Sequence, residues 1–402
     1  MKVIFLLGSP DISGGSYVIF QHALAILRAG NEVSVVTWET VTKERLNWFP
    51  EATELTWKTY EEIADMHYDV AIATWWKTVY ELYRVSADQY AYFVQSIESK
   101  FYSEEEKPLR NLVEATYTLP LHYITEATWI KEYLSNVYGQ EAALVRNGIR
   151  KDIYTLDGDA YAPREPGKLR VLVEGTVEAP FKNVPKTIEL CKKSQADEIW
   201  LMTPSQISGY AGLDRVFSKV PVTETAKVYR SCDVIVKLSY VEGMFGPPLE
   251  MFHCGGTSIT YDVTGHDEYI RNNENGIVIK TDSESEVVEA INRLKNDSGL
   301  LAQLKTNAIS TAQAWPNWDI SSKEFLNAVV EIADNPATIS KREVEILTKF
   351  HFESYVIAEK YRLQLLPKHE NTYLMLKDYI KTKHPKFFSI LKKIKMSLYK
   401  IK

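Results

Sequence analysis

A rhythm of strand-length apolar runs, each followed by a glycine- or serine-bearing loop and a helix-length stretch, runs through this chain twice. Residues 3–7 are continuously apolar and end in Gly8, the pattern of a strand buried on both faces in a parallel sheet. A polar loop follows over 9–16, then a helical stretch with Val18, Ala23, Leu24, Ile26 and Leu27 in apolar phase, closed by Gly30, and a second strand over 32–37. Such a βαβ unit leads to a parallel sheet with right-handed crossovers. Residues 69–74, 92–95 and 122–125 continue the strands, with a helix expected over 128–137. Residues 150–167 carry Asp157-Gly158-Asp159 and two prolines and read as a linker. The rhythm then restarts, with strands over 169–174, 198–202, 233–238 and 257–261 and helices over 185–193, 224–231 and 249–254. The expected architecture is α/β: two Rossmann-like doubly wound domains facing a cleft, over 1–150 and 169–335, joined by a linker at 151–168. Helices over 336–366 are expected to cross back to the first domain, ahead of a basic amphipathic tail at 367–402. A length of 402 residues suits two domains and an appendage.

Charge narrows the partners. Ten lysines against Glu370 and Asp378 give the tail +8, which leaves −14 for the rest of a chain whose net charge is −6. An acidic body excludes nucleic acid as the main partner, because phosphate contacts need a basic surface. The three cysteines, Cys191, Cys232 and Cys254, are widely spaced and fall in no C-x-x-C pair; they read as reduced thiols of a cytoplasmic protein rather than a disulfide frame or zinc site. No window has the 18 or so unbroken apolar residues of a membrane span, and the start of the chain lacks a signal-peptide pattern.

Ligands of open α/β sheets bind beyond the carboxyl ends of the strands. One such loop carries Tyr240-Val-Glu242-Gly-Met-Phe-Gly246-Pro-Pro-Leu-Glu250-Met. Glu242 lies in the loop and Glu250 about one turn inside the next helix, whose first turn accommodates the prolines. The start of that helix, with Gly246 just ahead of the prolines as a donor-binding candidate, offers N–H groups and partial positive charge to a diphosphate. Taken alone, two glutamates eight apart are equally a loop carboxylate and a solvated helix residue.

The surrounding pieces give the pair its context. Asp233-Val-Ile-Val-Lys-Leu-Ser-Tyr-Val-Glu-Gly, the Glu242 to Glu250 segment, Cys254-Gly-Gly, Gly265-His-Asp-Glu268 and Asn273-Glu-Asn-Gly-Ile-Val stand in order. Upstream are Arg146-Asn-Gly-Ile, Gly175-Thr-Val-Glu-Ala-Pro-Phe-Lys182-Asn and Gly14-Gly15. Over roughly residues 1–335 this series resembles the retaining GT-B glycosyltransferases of family 4. Pro247-Pro-Leu-Glu-Met and Tyr92-Phe-Val-Gln-Ser-Ile-Glu are similar to segments of bacterial rhamnosyltransferases that build cell-surface glycans.

The resemblance implies roles for particular residues. Lys182 matches the family's phosphate lysine and Glu242 its carboxylate against the donor sugar; these are the catalytic candidates. Glu250 would accept hydrogen bonds from the ribose hydroxyls. Gly14 and Gly15 would let backbone approach the substrates, a task that a side chain obstructs. Thr176 stands where the family has an arginine, so one positive charge is missing; Lys237, near a strand end, either replaces it or snorkels to solvent. The histidine that family members present after the strand ending at Gln95 and Ser96 is also absent, and Glu98 is a nearby carboxylate. Asp157-Gly158-Asp159 has the D-x-D form of a metal motif but lies in the linker and reads as a turn. His253 and His266 flank the site without ligand spacing, so neither a metal nor any other cofactor is expected.

The implied activity is transfer of a sugar from a nucleotide-sugar donor, dTDP-rhamnose by the narrower likeness, to a cell-surface glycan or lipid-linked glycan acceptor. Two other classes remain open: a GT-B nucleotide-sugar epimerase, and a non-catalytic glycan-binding partner subunit. In the tail, Phe387, Leu391, Ile394 and Leu398 share one helical face among lysines. That pattern suits residues 386–402 lying on an anionic membrane surface, which would hold the protein at the inner face of the cell membrane, or docked on protein.

Overall fold

The computed structural model describes residues 1–366. The expectations about the tail, 367–402, and its membrane helix at 386–402 lie outside the described residues.

Two all-parallel sheets form the molecule. The first has the order β3-β2-β1-β4-β5-β6-β7, with β1 Lys2–Leu6, β2 Glu32–Thr37, β3 Thr56–Thr59, β4 His67–Ala73, β5 Ser86–Val94, β6 His122–Thr125 and β7 Ala142–Leu144. The second has the order β10-β9-β8-β11-β12-β13, with β8 Arg170–Glu174, β9 Glu198–Thr203, β10 Arg215–Ser218, β11 Val234–Lys237, β12 Thr257–Tyr261 and β13 Ile277–Ile279. In each, the order reverses beside the first strand, which opens a crevice at the strands' carboxyl ends. Register keeps apolar residues level: Val3 pairs with Val33 and Val70, and Val171 with Ile199 and Val234.

The helices are α1 Gly14–Arg28, α2 Trp76–Val79, α3 Lys107–Ala115, α4 Thr128–Tyr138, α5 Val184–Lys192, α6 Val222–Ser231, α7 Gly246–His253, α8 Glu284–Asn296, α9 Ser298–Ala314, α10 Trp318–Asp334 and α11 Lys341–Leu365. Local chemistry sets their ends. Ser13 caps α1 by accepting from the Ser16 N–H, Gly139 ends α4 in the left-handed conformation, and Asn317 caps α10 through the Ile320 N–H.

The return to the first domain begins at α10, ahead of the expected 336. Phe325 of α10 packs with Phe5, His22 and Phe93 in the first domain's core, while α11 runs on along α3. At the crossing the Ile149 N–H donates to the Pro316 carbonyl at 3.1 Å, so the two interdomain segments lie side by side. The segment that contains Asp157 and Asp159 is held on the second domain, where Arg164 donates to the carbonyls of Tyr229, Cys232, Cys254 and Gly255. All three cysteines are buried and unpaired.

Candidate active site

The carboxyl ends of the two sheets face each other across a cleft of about 640 Å³. Gly14, Gly15, Thr176, Lys182, Lys237, Glu242, Gly246 and Glu250 all line it, so the structure brings every site residue read from the sequence to one place. Asp157, Asp159, His253 and His266 do not line it, and among the described residues no cluster of three or more His, Cys, Asp or Glu is arranged to hold a metal ion.

The centre of the site is a chain of alternating charge. Lys182 Nζ lies 2.7 Å from Glu242 Oε2, Lys237 Nζ lies 3.5 Å from Glu242 Oε1, and the same Nζ lies 2.5 Å from Glu174 Oε2. Lys237 has a side chain only 2% exposed, which settles its two readings in one respect: it does not snorkel to solvent. Burial alone would lower its pKa, but Glu174 and Glu242 outweigh that and hold it raised. Burial likewise pushes the Glu242 carboxyl up, and the two lysines overcome it and hold it below the ordinary value. A Cβ on Gly175 would lie 3.6 Å from Lys182 Cβ and 3.7 Å from Lys237 Nζ. The buried ammonium therefore sits beside the Thr176 loop, where the expected arginine is missing.

Glu250 accepts from the Tyr229 hydroxyl at 2.8 Å, and burial raises its carboxyl to about 7 from an ordinary 4.5. A carboxyl raised in the folded state stabilises the fold fully below the unfolded value and loses that contribution as pH rises through the folded one. Thermal stability should therefore fall between about pH 4.5 and pH 7, and Glu250→Gln should make that part of a melting-temperature profile against pH shallower.

Two expectations need adjusting. Pro247 and Pro248 carry no N–H, so the first turn of α7 offers only those of Gly246 and Leu249. Space, moreover, does not require glycine at 14 or 15: a Cβ on Gly14 would meet nothing within 4 Å, and one on Gly15 would make ordinary contact with the Gln95 side chain at 3.4 Å.

Three further carboxylates emerge from the structure. Glu174, at the end of β8, belongs to the central ion chain. Glu126, just after β6, is buried at the domain seam and accepts from the Met244 N–H at 3.0 Å and from Asn147 Nδ2 at 2.8 Å; burial raises it to about 7. Glu268 reaches across from the second domain to accept from the Thr128 N–H at 2.5 Å and Arg146 Nε at 3.1 Å. Glu126 and Glu174 both directly follow or end an apolar strand, a position that marks them in the sequence. Glu98 lines the cleft and accepts from the Tyr92 hydroxyl at 2.6 Å and the Trp76 N–H at 2.8 Å.

The seam demands glycine at 243, next to Glu242. A Cβ there would lie 2.0 Å from the Gln95 carbonyl oxygen and 2.6 Å from Glu126 Oε1. Gly243→Ala should cost about 1–3 kcal/mol by forcing the loop off the first domain. Melting temperatures of this variant and of Gly14→Ala, whose Cβ has room, check the claim; equal midpoints would contradict it.

Residues 213–311 match the family model described as "Glycosyl transferases group 1". A curated protein, the O-antigen biosynthesis protein RfbC of Myxococcus xanthus, is 24% identical over 281 residues, which make up 67% of this chain and 21% of that protein; the chain thus spans about a fifth of its relative's length. Among solved structures, Anabaena HepE in complex with UDP-glucose is similar at a TM-score of 0.65 and 14% identity, covering 82% of this chain and 100% of that one. Sucrose-phosphate synthase of Thermosynechococcus elongatus is similar at a TM-score of 0.63 and 16% identity, covering 82% and 98%. With the two sheets, the cleft and this matched segment together, the chain has the GT-B glycosyltransferase fold, and its second domain carries the segment typical of the group 1 glycosyl transferases.

Proposed function

We propose that the chain transfers a sugar from a nucleoside-diphosphate donor to a hydroxyl of a glycan acceptor in the cleft, with retention of configuration and without a metal ion. The observation that carries this reading is the run of Lys182, Glu242, Lys237 and Glu174 in the wall of the cleft, which Glu250 also lines. As the bond from the sugar's anomeric carbon to the diphosphate breaks, its electron pair stays on the phosphate oxygen. Preorganised cations there lower the barrier. Lys182 supplies one such charge, and Lys237 supplies the second in place of the absent arginine. Glu242, kept ionised between them, faces the donor sugar. The acceptor oxygen bonds to the anomeric carbon on the face that the diphosphate leaves, and the hydroxyl proton passes to the departing phosphate oxygen. Glu250 receives the ribose hydroxyls, a task its ionised form performs best, so donor affinity should rise as pH passes about 7.

A relative named for O-antigen biosynthesis supports a surface-glycan acceptor, and a neighbour solved with UDP-glucose supports a nucleotide-sugar donor. The narrower reading takes dTDP-rhamnose as donor, on the likeness of 92–98 and 247–251 to rhamnosyltransferases, with the basic tail at an anionic membrane surface. No helix among the described residues is long and apolar enough to cross a membrane. The test is to incubate the protein with dTDP-rhamnose or UDP-glucose and a lipid-linked glycan extract and follow the sugar by mass spectrometry. Label on the glycan supports transfer; epimerised free nucleotide sugar with no labelled glycan overturns it in favour of the isomerase.

A further inference from the structure

A pair of tryptophans stands on the first domain's side, one in the wall of the cleft and the other beside it. Trp75 follows β4 and lines the cleft. Its backbone N–H donates to Thr78 Oγ1 at 3.1 Å, and its ring packs so closely on the end of β1 that a Cβ on Gly8 would lie 2.5 Å from ring carbon Cε3. Trp38 directly follows β2 and meets Trp75 edge to face, with ring centroids 6.4 Å apart and planes at 79°. It also packs near Tyr60, with centroids 6.3 Å apart and planes at 45°. With these two neighbours Trp38 keeps 37% of its surface exposed, and Lys77 Nζ stands 4.7 Å from the Trp75 ring centroid.

β2, β1 and β4 are neighbours in the sheet, so these groups share one carboxyl edge, the edge that faces the cleft. An indole offers a flat apolar face with a polar tip. A pyranose ring matches it, with C–H bonds gathered on one face and hydroxyls around the rim. The phosphate cations and Glu250 belong to the second domain, so the donor occupies the opposite wall, and the tryptophans remain for the other substrate.

We infer that Trp38, braced by Trp75, is a stacking platform for a sugar ring of the acceptor glycan, one or more residues beyond the ring that receives the transferred sugar. This rests on the glycan-acceptor reading above. Trp38 lies outside the residues that line the cleft with Lys182 and Glu242, so the platform favours chains over single sugars.

The test uses the full chain labelled with 5-fluorotryptophan, with Trp38→Phe assigning the Trp38 resonance by fluorine NMR. The probes are rhamnotriose, cellotriose and chitotriose, with the three monosaccharides as controls and UDP and dTDP as donor-site ligands. The expected result is a saturable shift of the Trp38 resonance with at least one trisaccharide and little with its monosaccharide. Trp38→Ala should weaken that trisaccharide by about tenfold, while nucleotide affinity reports that the variant is folded. A Trp38 resonance that no trisaccharide moves, one moved only by a nucleotide, or an unchanged affinity in Trp38→Ala overturns the platform. Failure of the wild-type protein to bind either nucleotide is a separate result, which sinks the transferase reading itself.

Discussion

Lys182→Ala is expected to lower the rate of transfer by about 10²–10³-fold, the usual effect of removing one preorganised partner of a developing oxyanion. Its ammonium is 2.7 Å from Glu242 and its side chain is 25% exposed, so it is tethered yet open to the cleft. The charge it meets is largest as the donor bond breaks, and the loss should fall on kcat more than on KM. The fold should tolerate the change, since Glu242 keeps Lys237 at 3.5 Å. Release of nucleoside diphosphate under saturating donor measures the effect, with the melting temperature as the folding control. A variant that transfers at the wild-type rate would remove Lys182 from the chemistry.

Lys237→Met should act first on stability. The methionine fills the space but leaves Glu174 and Glu242 facing each other in a buried site, and breaking one side of a buried ion pair costs about 3–5 kcal/mol. For a domain of this size that is a drop of about 10 °C in melting temperature. The double variant Glu174→Gln with Lys237→Met should recover part of the loss, because the stranded charge at β8 is gone; a double-mutant cycle reads the coupling. If Lys237→Met melts with the wild type, the ion chain does not hold the site together. If the double variant is stable but binds nucleoside diphosphate as tightly as wild type, Lys237 is a strut and does not replace the missing arginine.

Much of this was legible in the sequence, and the omissions share a cause. The buried strands of both sheets appear as apolar runs, and β2, β6 and β12 occur with the bounds their patterns predict. The four strands that the pattern does not reveal, β3, β7, β10 and β13, are the outermost of their sheets. An edge strand buries less of its surface, as in Thr56–Thr59 and Arg215–Ser218, where no residue is fully buried, so it needs no continuous apolar run. α7 begins earlier than the apolar pattern suggests, because Gly246, Pro247 and Pro248 occupy its first turn.

The candidate site was legible where chemistry is written in local order, as in the segment from Glu242 to Glu250. It was not legible where partners meet only through tertiary contact, across the domain seam or between neighbouring strands far apart in sequence. Nothing near Glu126 in sequence indicates the Met244 N–H, 118 positions away, and nothing near Lys237 indicates Glu174, 63 positions away. The ambiguity of Lys237 is a case in point: strand-end position leaves burial and snorkelling equal, and only the tertiary placement of Glu174 decides between them.

The central claim is that Lys182, Lys237, Glu242 and Glu250 form a working nucleoside-diphosphate site. Isothermal titration of the full chain with UDP, dTDP and GDP, in the presence of EDTA and repeated with Lys182→Ala, tests it most directly. The account predicts saturable binding of one nucleotide, unaffected by EDTA and markedly weakened by the substitution. No binding of any of the three at millimolar concentration, or equal binding by Lys182→Ala, would contradict it.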